Sequence, residues 1–404
     1  MRSTLTSLLV LAFAACLIPG APAQDSSQDG PMPDSPAQDR PAQKQNNPAP
    51  GKAASAHVPA NLPSCTDSLS NLAFPNAPHG LFAIMFPNPT MHAKLNPFVI
   101  HNPVVCGANF YLVWNQIDKG PGASPRYDWS RMDEEIAPWI AAGKEINFIV
   151  WATGYGQGNG TAKATPDYVF RQTPSVDCPN AGTVPVFWEK GFVTNYQEFM
   201  RAVVQKYGGN ASVGYIRFGL GIGGETYPAC MYALKSRGFS PERWRHYIID
   251  MLDFEASLNS PKQLMVGINT FGNPPDMGFA DAVAKHAAQH GIAIGSQTLS
   301  FEDAQNERRG SPCAVDWCRN FHEAEGKVPL ELQTRKQSNP DRNGIIGSMV
   351  DLLPFALHMR TQIIEVYPED WLVAYDPDDP AYAQYHQEYQ QAYESAAKVL
   401  GGHP

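Results

Sequence analysis

Three glutamates, Glu225, Glu331 and Glu365, stand where carboxylates could exchange protons with a bound molecule. Glu225 closes the stretch Val213-Gly-Tyr-Ile-Arg-Phe-Gly-Leu-Gly-Ile-Gly-Gly-Glu225-Thr-Tyr-Pro228, an apolar strand running into a cluster of glycines. Such glycines let the backbone turn sharply and let other groups approach closely. Glu225 is therefore expected just past a strand's C-terminal end, the end that carries the chemistry in parallel sheets and barrels. In Pro329-Leu-Glu331-Leu-Gln333, strand alternation puts Glu331 and Gln333 on one face and Leu330 and Leu332 on the other. Glu365 lies in a third such segment, Gln362-Ile-Ile-Glu-Val-Tyr367. A carboxylate among apolar residues is costly unless it is paired or functional. A single glutamate at a strand end is as readily a solvated rim residue or half of a structural ion pair. Three of them, all at the expected C-terminal rim of one sheet, weigh against that reading.

Aromatic residues lie at or just beyond the same strand ends: Trp114, Trp151, Tyr227, Tyr367 and Trp371. Taken singly, each suits a core. As a ring around carboxylates they would suit the flat C–H faces of sugars. One motif misleads. Gly219-Leu-Gly221-Ile-Gly-Gly224 matches the dinucleotide fingerprint, but that fingerprint needs a helix to open at the third glycine, and Glu225-Thr-Tyr-Pro-Ala-Cys follows.

The elements that must hold these residues alternate strand and helix. Strands are expected at Gly80–Phe86, Gly107–Trp114, Ile146–Trp151, the stretch from Val213, Gln263–Asn269, Ile292–Ser296, Val328–Gln333 and Gln362–Tyr367. Helices are expected after most of them, at Ser130–Ala142 with Ser130 as N-cap, Asn195–Tyr207, Pro241–Leu258 with Ser240 as N-cap, Ala280–His290, Trp317–Glu325, Ile345–Met359 and Ala381–Val399. Alternation argues for a parallel sheet covered by helices, and eight units argue for a closed (β/α)8 barrel, a TIM barrel. The loop from Thr153 to about Val186 is long for a compact domain, so it is expected to be functional or tied down.

The chain has 404 residues and a formal net charge of -9, with no basic block, which argues against nucleic-acid partners. Residues 1–23 read as a secretory signal peptide, with an apolar run from Leu8 to Ile18 and Ala21-Pro-Ala23 before the cut. Phe13-Ala-Ala-Cys16 loosely matches a lipoprotein box, but Phe replaces the usual aliphatic residue, so soluble export to the periplasm or medium is expected over a lipid anchor at Cys16. Residues 24–60 are rich in Pro, Gln, Asp, Ser and Ala and read as a disordered linker. Residues 61–404 then form one domain without a membrane span, expected to act as a monomer. The cysteines past the signal are Cys65, Cys106, Cys178, Cys230, Cys313 and Cys318, an even count that suggests disulfides in an exported chain. Loop position brings Cys178 and Cys230 to neighbouring loops of one rim, Cys65 to the start of strand two near Cys106, and Cys313 within reach of Cys318. No C-x-x-C pair suggests zinc, and neither a metal nor an organic cofactor is expected.

Three segments carry a resemblance: Asn109-Phe-Tyr-Leu-Val-Trp-Asn115, Tyr127-Asp-Trp129-Ser-Arg-Met-Asp133 and Gly143-Lys-Glu-Ile-Asn-Phe-Ile-Val150. Together they resemble the second-to-third strand region of the clan A glycoside hydrolases, retaining enzymes on a (β/α)8 barrel. The resemblance spans nearly all of residues 79–400 with diffuse motifs and singles out no one family. It implies that Glu225, after strand four, is the acid/base and Glu331, in strand seven, the nucleophile; Glu365, also on a late strand and followed by Tyr367 and Trp371, is the rival nucleophile by alternation and rim position. It implies Trp371 as the floor of a sugar site, and a polysaccharide or oligosaccharide as substrate of a β-glycosidase. The clan usually has Asn before the acid/base, where this chain has Gly224. Near the nucleophile it usually has an aromatic residue or His, where this chain has Ser296 and Gln297. Asn115, Asn269 or Gln297 is then expected to supply the missing polar contacts. The alternative reading, prompted by Gly224, is a non-catalytic carbohydrate-binding barrel.

Overall fold

The computed structural model describes residues 74, 77–154, 163–178, 182–272, 275–308 and 316–401. The signal peptide and linker expected from sequence, and Cys65 and Cys313, lie outside the described residues. Eight parallel strands close into a barrel: β1 (Gly80–Met85), β2 (Val105–Val113), β3 (Glu145–Trp151), β4 (Val213–Phe218), β5 (Gln263–Gly267), β6 (Ala293–Leu299), β7 (Leu330–Thr334) and β8 (Ile363–Val366). Each pairs with its neighbour in sequence, and β1 pairs with β8 through Phe82 opposite Glu365. This is the (β/α)8 barrel that the alternation of the sequence predicts.

Nearly every strand residue is buried, because one face meets the helices and the other fills the barrel. In β7 the period of two divides these faces as expected. Leu330 and Leu332 join the core shared with the helices, and Glu331 and Gln333 turn inward. The inward residues form layers. The lower one is apolar, built of Phe82, Cys106, Tyr215, Met265, Ala293 and Ile363. The upper one is Ile84, Tyr111 and Ile149 beneath Phe86, Trp151 and Tyr367. Between them lies a polar belt with Arg217 at its centre.

Local signals act mostly as read. Ser240 caps the helix Pro241–Ser257, accepting from the Arg243 N–H at 3.1 Å, with Pro241 in the first turn. Ser130 is not a cap: it is the first residue of the helix Ser130–Ala141, and Asp128 takes its N–H and hydroxyl instead. The last helices are shorter than their apolar patterns suggest, at Met349–His358, capped by Ser348, and His386–Leu400. The long loop after β3 holds an antiparallel hairpin, Ser175–Cys178 with Gly182–Pro185, that no sequence signal had marked.

Cys178 is bonded to Cys230, as loop position suggested, tying that hairpin to the loop after β4. The bridge closes a loop of 52 residues. Replacing both cysteines with alanine is expected to cost about 2–4 kcal/mol, mainly through the freer unfolded chain. Denaturant unfolding measures this, and an unchanged midpoint would show that other contacts fix the loop. Among the described residues no helix is long and apolar enough to cross a membrane.

Candidate active site

Glu225 sits on a turn whose glycines are required by packing. A side chain at Gly219 would meet the Gly223 carbonyl at 2.0 Å, and one at Gly221 the Tyr227 carbonyl at 2.1 Å. Gly223 also has φ +59. The Leu220 and Gly221 N–H groups both donate to the Glu225 carbonyl, at 3.1 and 2.7 Å, and Gly223 N–H donates to Thr153 O at 3.0 Å. Just beyond, Thr226 donates its hydroxyl to Gly267 O at 2.9 Å and its N–H to the Asn269 side chain at 3.2 Å. The Trp244 indole closes the loop by donating to Thr226 O at 3.0 Å. Glu225 is thus held by a rigid frame sewn to β3 and β5. These glycines serve close backbone packing, and the short helix that follows begins only at Met231.

Glu225 is half-exposed at the C-terminal mouth of the barrel. Its charge reaches Tyr111 and Tyr367, whose hydroxyl pKa values are pushed up first by burial and further by nearby carboxylates, Glu225 among them. Phe86 stacks on Tyr111 with ring centres 5.1 Å apart, Trp151 meets Tyr111 edge-on at 4.7 Å, and Tyr367 lies 5.5 Å from Phe86. The mouth therefore has an aromatic wall beside one carboxylate. Trp151 and Tyr367 were expected there. Phe86 and Tyr111 were not, although both fall at the C-terminal ends of their strands.

The other two glutamates are deeper. Glu331 and Glu365 are fully buried, in the barrel interior and not at the rim where sequence placed them. Arg217 lies between them: Nη1 donates to Glu331 Oε2 at 3.0 Å and Nη2 to Glu365 Oε2 at 3.2 Å. Gln297 donates to the same Glu331 oxygen at 3.1 Å, and the Tyr215 hydroxyl donates to Glu365 Oε1. Both oxygens of Glu365 are thus engaged, whereas Glu331 Oε1 has no hydrogen-bond partner among the described residues. One guanidinium faces two fully buried carboxyl groups, so burial and mutual repulsion disfavour the second negative charge. Burial, then the charge of Glu365, pushes the Glu331 pKa well up against the pull of Arg217. Burial also raises Glu365, but Arg217 and the Tyr215 hydroxyl favour its ionised form. Arg217 and the Tyr215 hydroxyl thus bias Glu365 toward its anion, and burial beside that charge biases Glu331 toward its neutral form.

The remaining expected site residues separate into three groups. Gln333 and Gln297 line the belt. Gln333 donates to the Tyr367 hydroxyl at 3.3 Å and accepts from Arg217 at 3.5 Å, linking the ion cluster to the aromatic wall. Asn269, Asn115 and Tyr227 shape the frame. Asn269 receives the Thr226 N–H, Asn115 ties the loop after β3 through Ala164 O and Lys163 O, and Tyr227 O accepts from Ile222 N–H. Two expectations need correction. Trp114 is fully buried outside the barrel against Phe192, Tyr196 and Phe199, its indole donating to Asp118. Trp371 is fully buried against Tyr375 and Tyr393 of the closing helices. Neither has a face to offer a sugar, because each follows its strand on the helix side. The structure also explains Gly224: a Cβ there would lie 2.5 Å from Ile149 and 3.4 Å from Arg217 Nε, so an asparagine has no room.

No protein-family model matches the sequence, and no curated protein matches it. Solved structures do. A β-galactosidase from Rahnella sp. R3 superposes with a TM-score of 0.50 at 10% identity, over 83% of this chain and 57% of that one. An endo-β-1,4-xylanase of glycoside hydrolase family 10 from Gloeophyllum trabeum gives 0.47 at 12% identity, over 82% and 99%. A β-galactosidase from Marinomonas ef1 gives 0.46 at 7% identity, over 79% and 59%, so the chain spans less than two thirds of either galactosidase. At such identities the likeness is one of fold: the chain is built on the eight-stranded parallel barrel that these glycoside hydrolases share.

Proposed function

We propose that the chain is a retaining glycoside hydrolase acting on a polysaccharide or oligosaccharide at the mouth of its barrel. One observation carries the reading: a half-exposed carboxylate on a rigid turn after β4 stands beside an aromatic wall at the end of the barrel where such enzymes work. Glu225 acts as acid/base, protonating the leaving oxygen and then activating water. Glu331 acts as nucleophile through Oε1, its unengaged oxygen. For that it must be ionised and uncovered on substrate binding, since the side chain is fully buried. Trp151, Tyr367 and Tyr111 face the sugar's apolar side, and Gln333 and Gln297 supply polar contacts. All these residues come from one chain, so a monomer suffices. The Cys178–Cys230 bridge fits an exported protein, since such bonds persist in oxidising compartments.

A second reading has its own support. A fully buried Glu331, held by Arg217 and biased toward its neutral form, is a poor nucleophile, which suits a barrel that binds saccharides without cleaving them. A screen of aryl β-glycosides and polysaccharides, paired with calorimetric binding of the same oligosaccharides, separates the two. Turnover lost in Glu225→Gln is the expected result. Saturable binding without turnover would favour the binding protein, and neither would overturn both.

A further inference from the structure

Away from the mouth, on the outer helical layer, Asp253, His286 and His290 converge. Asp253 lies on the helix Pro241–Ser257; His286 is in the last turn of the helix Met277–Gln289 and His290 is its C-cap, and the two helices pack side by side. His286 Nε2 is 2.7 Å from Asp253 Oδ1, and His290 Nε2 is 3.8 Å from the same oxygen. The imidazole rings lie 4.6 Å apart, and one ligand atom from each residue falls within 4.8 Å of the others.

An ordinary ion pair would use one histidine. Here a second imidazole nitrogen is drawn to the same carboxylate oxygen, so three possible ligand atoms crowd one point on the surface. Two imidazoles one helical turn apart and a carboxylate from a neighbouring helix form a three-ligand set for a borderline-soft cation. Bound tetrahedrally at roughly 2.0–2.1 Å, three such ligands sit about 3.3 Å from one another. The present separations bracket that figure, so small side-chain rotations suffice. The carbonyl end of the helix Met277–Gln289 adds a favourable field for a cation. We propose that Asp253, His286 and His290 bind a divalent transition-metal ion of the zinc class, with water completing its shell, as a clip between two barrel helices.

This site is independent of the glycosidase reading and lies on a different face of the fold. The sequence carried the cue in His286-Ala-Ala-Gln-His290, a one-turn spacing that is ambiguous without its partner helix. The test is calorimetric titration of zinc chloride into the full chain at pH 7.5, with thermal melts alongside. One saturable site is expected, together with a rise in Tm. His286→Ala, His290→Gln and Asp253→Asn should each weaken binding by more than about tenfold and abolish the rise in Tm. These side chains are partly or fully exposed, so the variants should fold, and circular dichroism checks that. Absence of saturable zinc binding, or binding unchanged in the His286→Ala/His290→Gln double variant, would overturn the proposal. Competition by magnesium at equal concentration would also overturn it, since magnesium selects oxygen ligands.

Discussion

Arg217→Met is expected to destabilise the barrel by about 3–5 kcal/mol at neutral pH, enough to unfold much of a marginally stable domain. The side chain is fully buried and shared by Glu331 and Glu365. Methionine fills the space but leaves the anionic Glu365 with only the Tyr215 hydroxyl. That carboxyl must then take up a proton or stay charged in a dry interior. The sign of the pH dependence follows. With its folded-state pKa raised above the unfolded value of about 4.3, the native state binds more protons than the unfolded one, so stability falls as pH rises through that window. The penalty should be smallest at acid pH and largest near neutrality. Urea unfolding of wild type and variant at pH 5 and pH 7.5 measures it. An equal loss at both pH values would mean that Arg217 acts through packing and not through charge. The double variant Arg217→Met/Glu365→Gln should recover part of the loss, because no buried charge remains to be paired.

Arg217 also shows how much of the site could be read from sequence. Val213-Gly-Tyr-Ile-Arg-Phe218 reads as a strand, and its alternation already puts Tyr215 and Arg217 on one face. Leu330 and Leu332, by the same rule, leave Glu331 pointing inward. Each strand therefore announced an ionisable group in the barrel, and a buried arginine demands carboxylates. What the residues could not announce is height. Glu331 is the second residue of β7, opposite Ile363, whereas Glu225 stands beyond the end of β4. Depth depends on strand stagger around the barrel, a property of pairing between strands distant in sequence. For the same reason Glu331 and Glu365 read as rim residues and proved to be interior ones.

The barrel itself was legible because each strand and helix carries its own period and punctuation. Trp114 and Trp371 were misplaced for a related reason. Both come one or more residues after a strand ends, where the chain has already turned into a helix, and strand alternation no longer says which way they point. Phe110 and Trp139, by contrast, are core by pattern and pack edge-on at 6.1 Å.

The two glutamates separate by their kinetics. Glu331→Gln should nearly abolish turnover on every substrate if Glu331 is the nucleophile, since an amide cannot attack the anomeric carbon. Its fold should persist, because glutamine keeps an oxygen for Arg217 and Glu331 is the carboxyl biased toward its neutral form. Glu225→Ala should cost on the order of 10²–10⁴ in rate when the leaving group is poor, and far less with an activated aryl group that departs unprotonated. The glycosyl-enzyme should then accumulate, because water attacks it without a base. Azide needs no base and enters the space left by the carboxylate, so it should restore turnover and yield a β-glycosyl azide with retained configuration. Glu365 is the rival nucleophile, but Arg217 and Tyr215 occupy both its oxygens, whereas Glu331 keeps Oε1. A fluorosugar that traps the intermediate decides between them by peptide mapping. A label on Glu331 supports the assignment, and a label on Glu365 reverses it. Full activity in Glu331→Gln with an unchanged Tm would reduce that residue to a counter-charge in the barrel's ion cluster and leave Glu225 alone at the mouth.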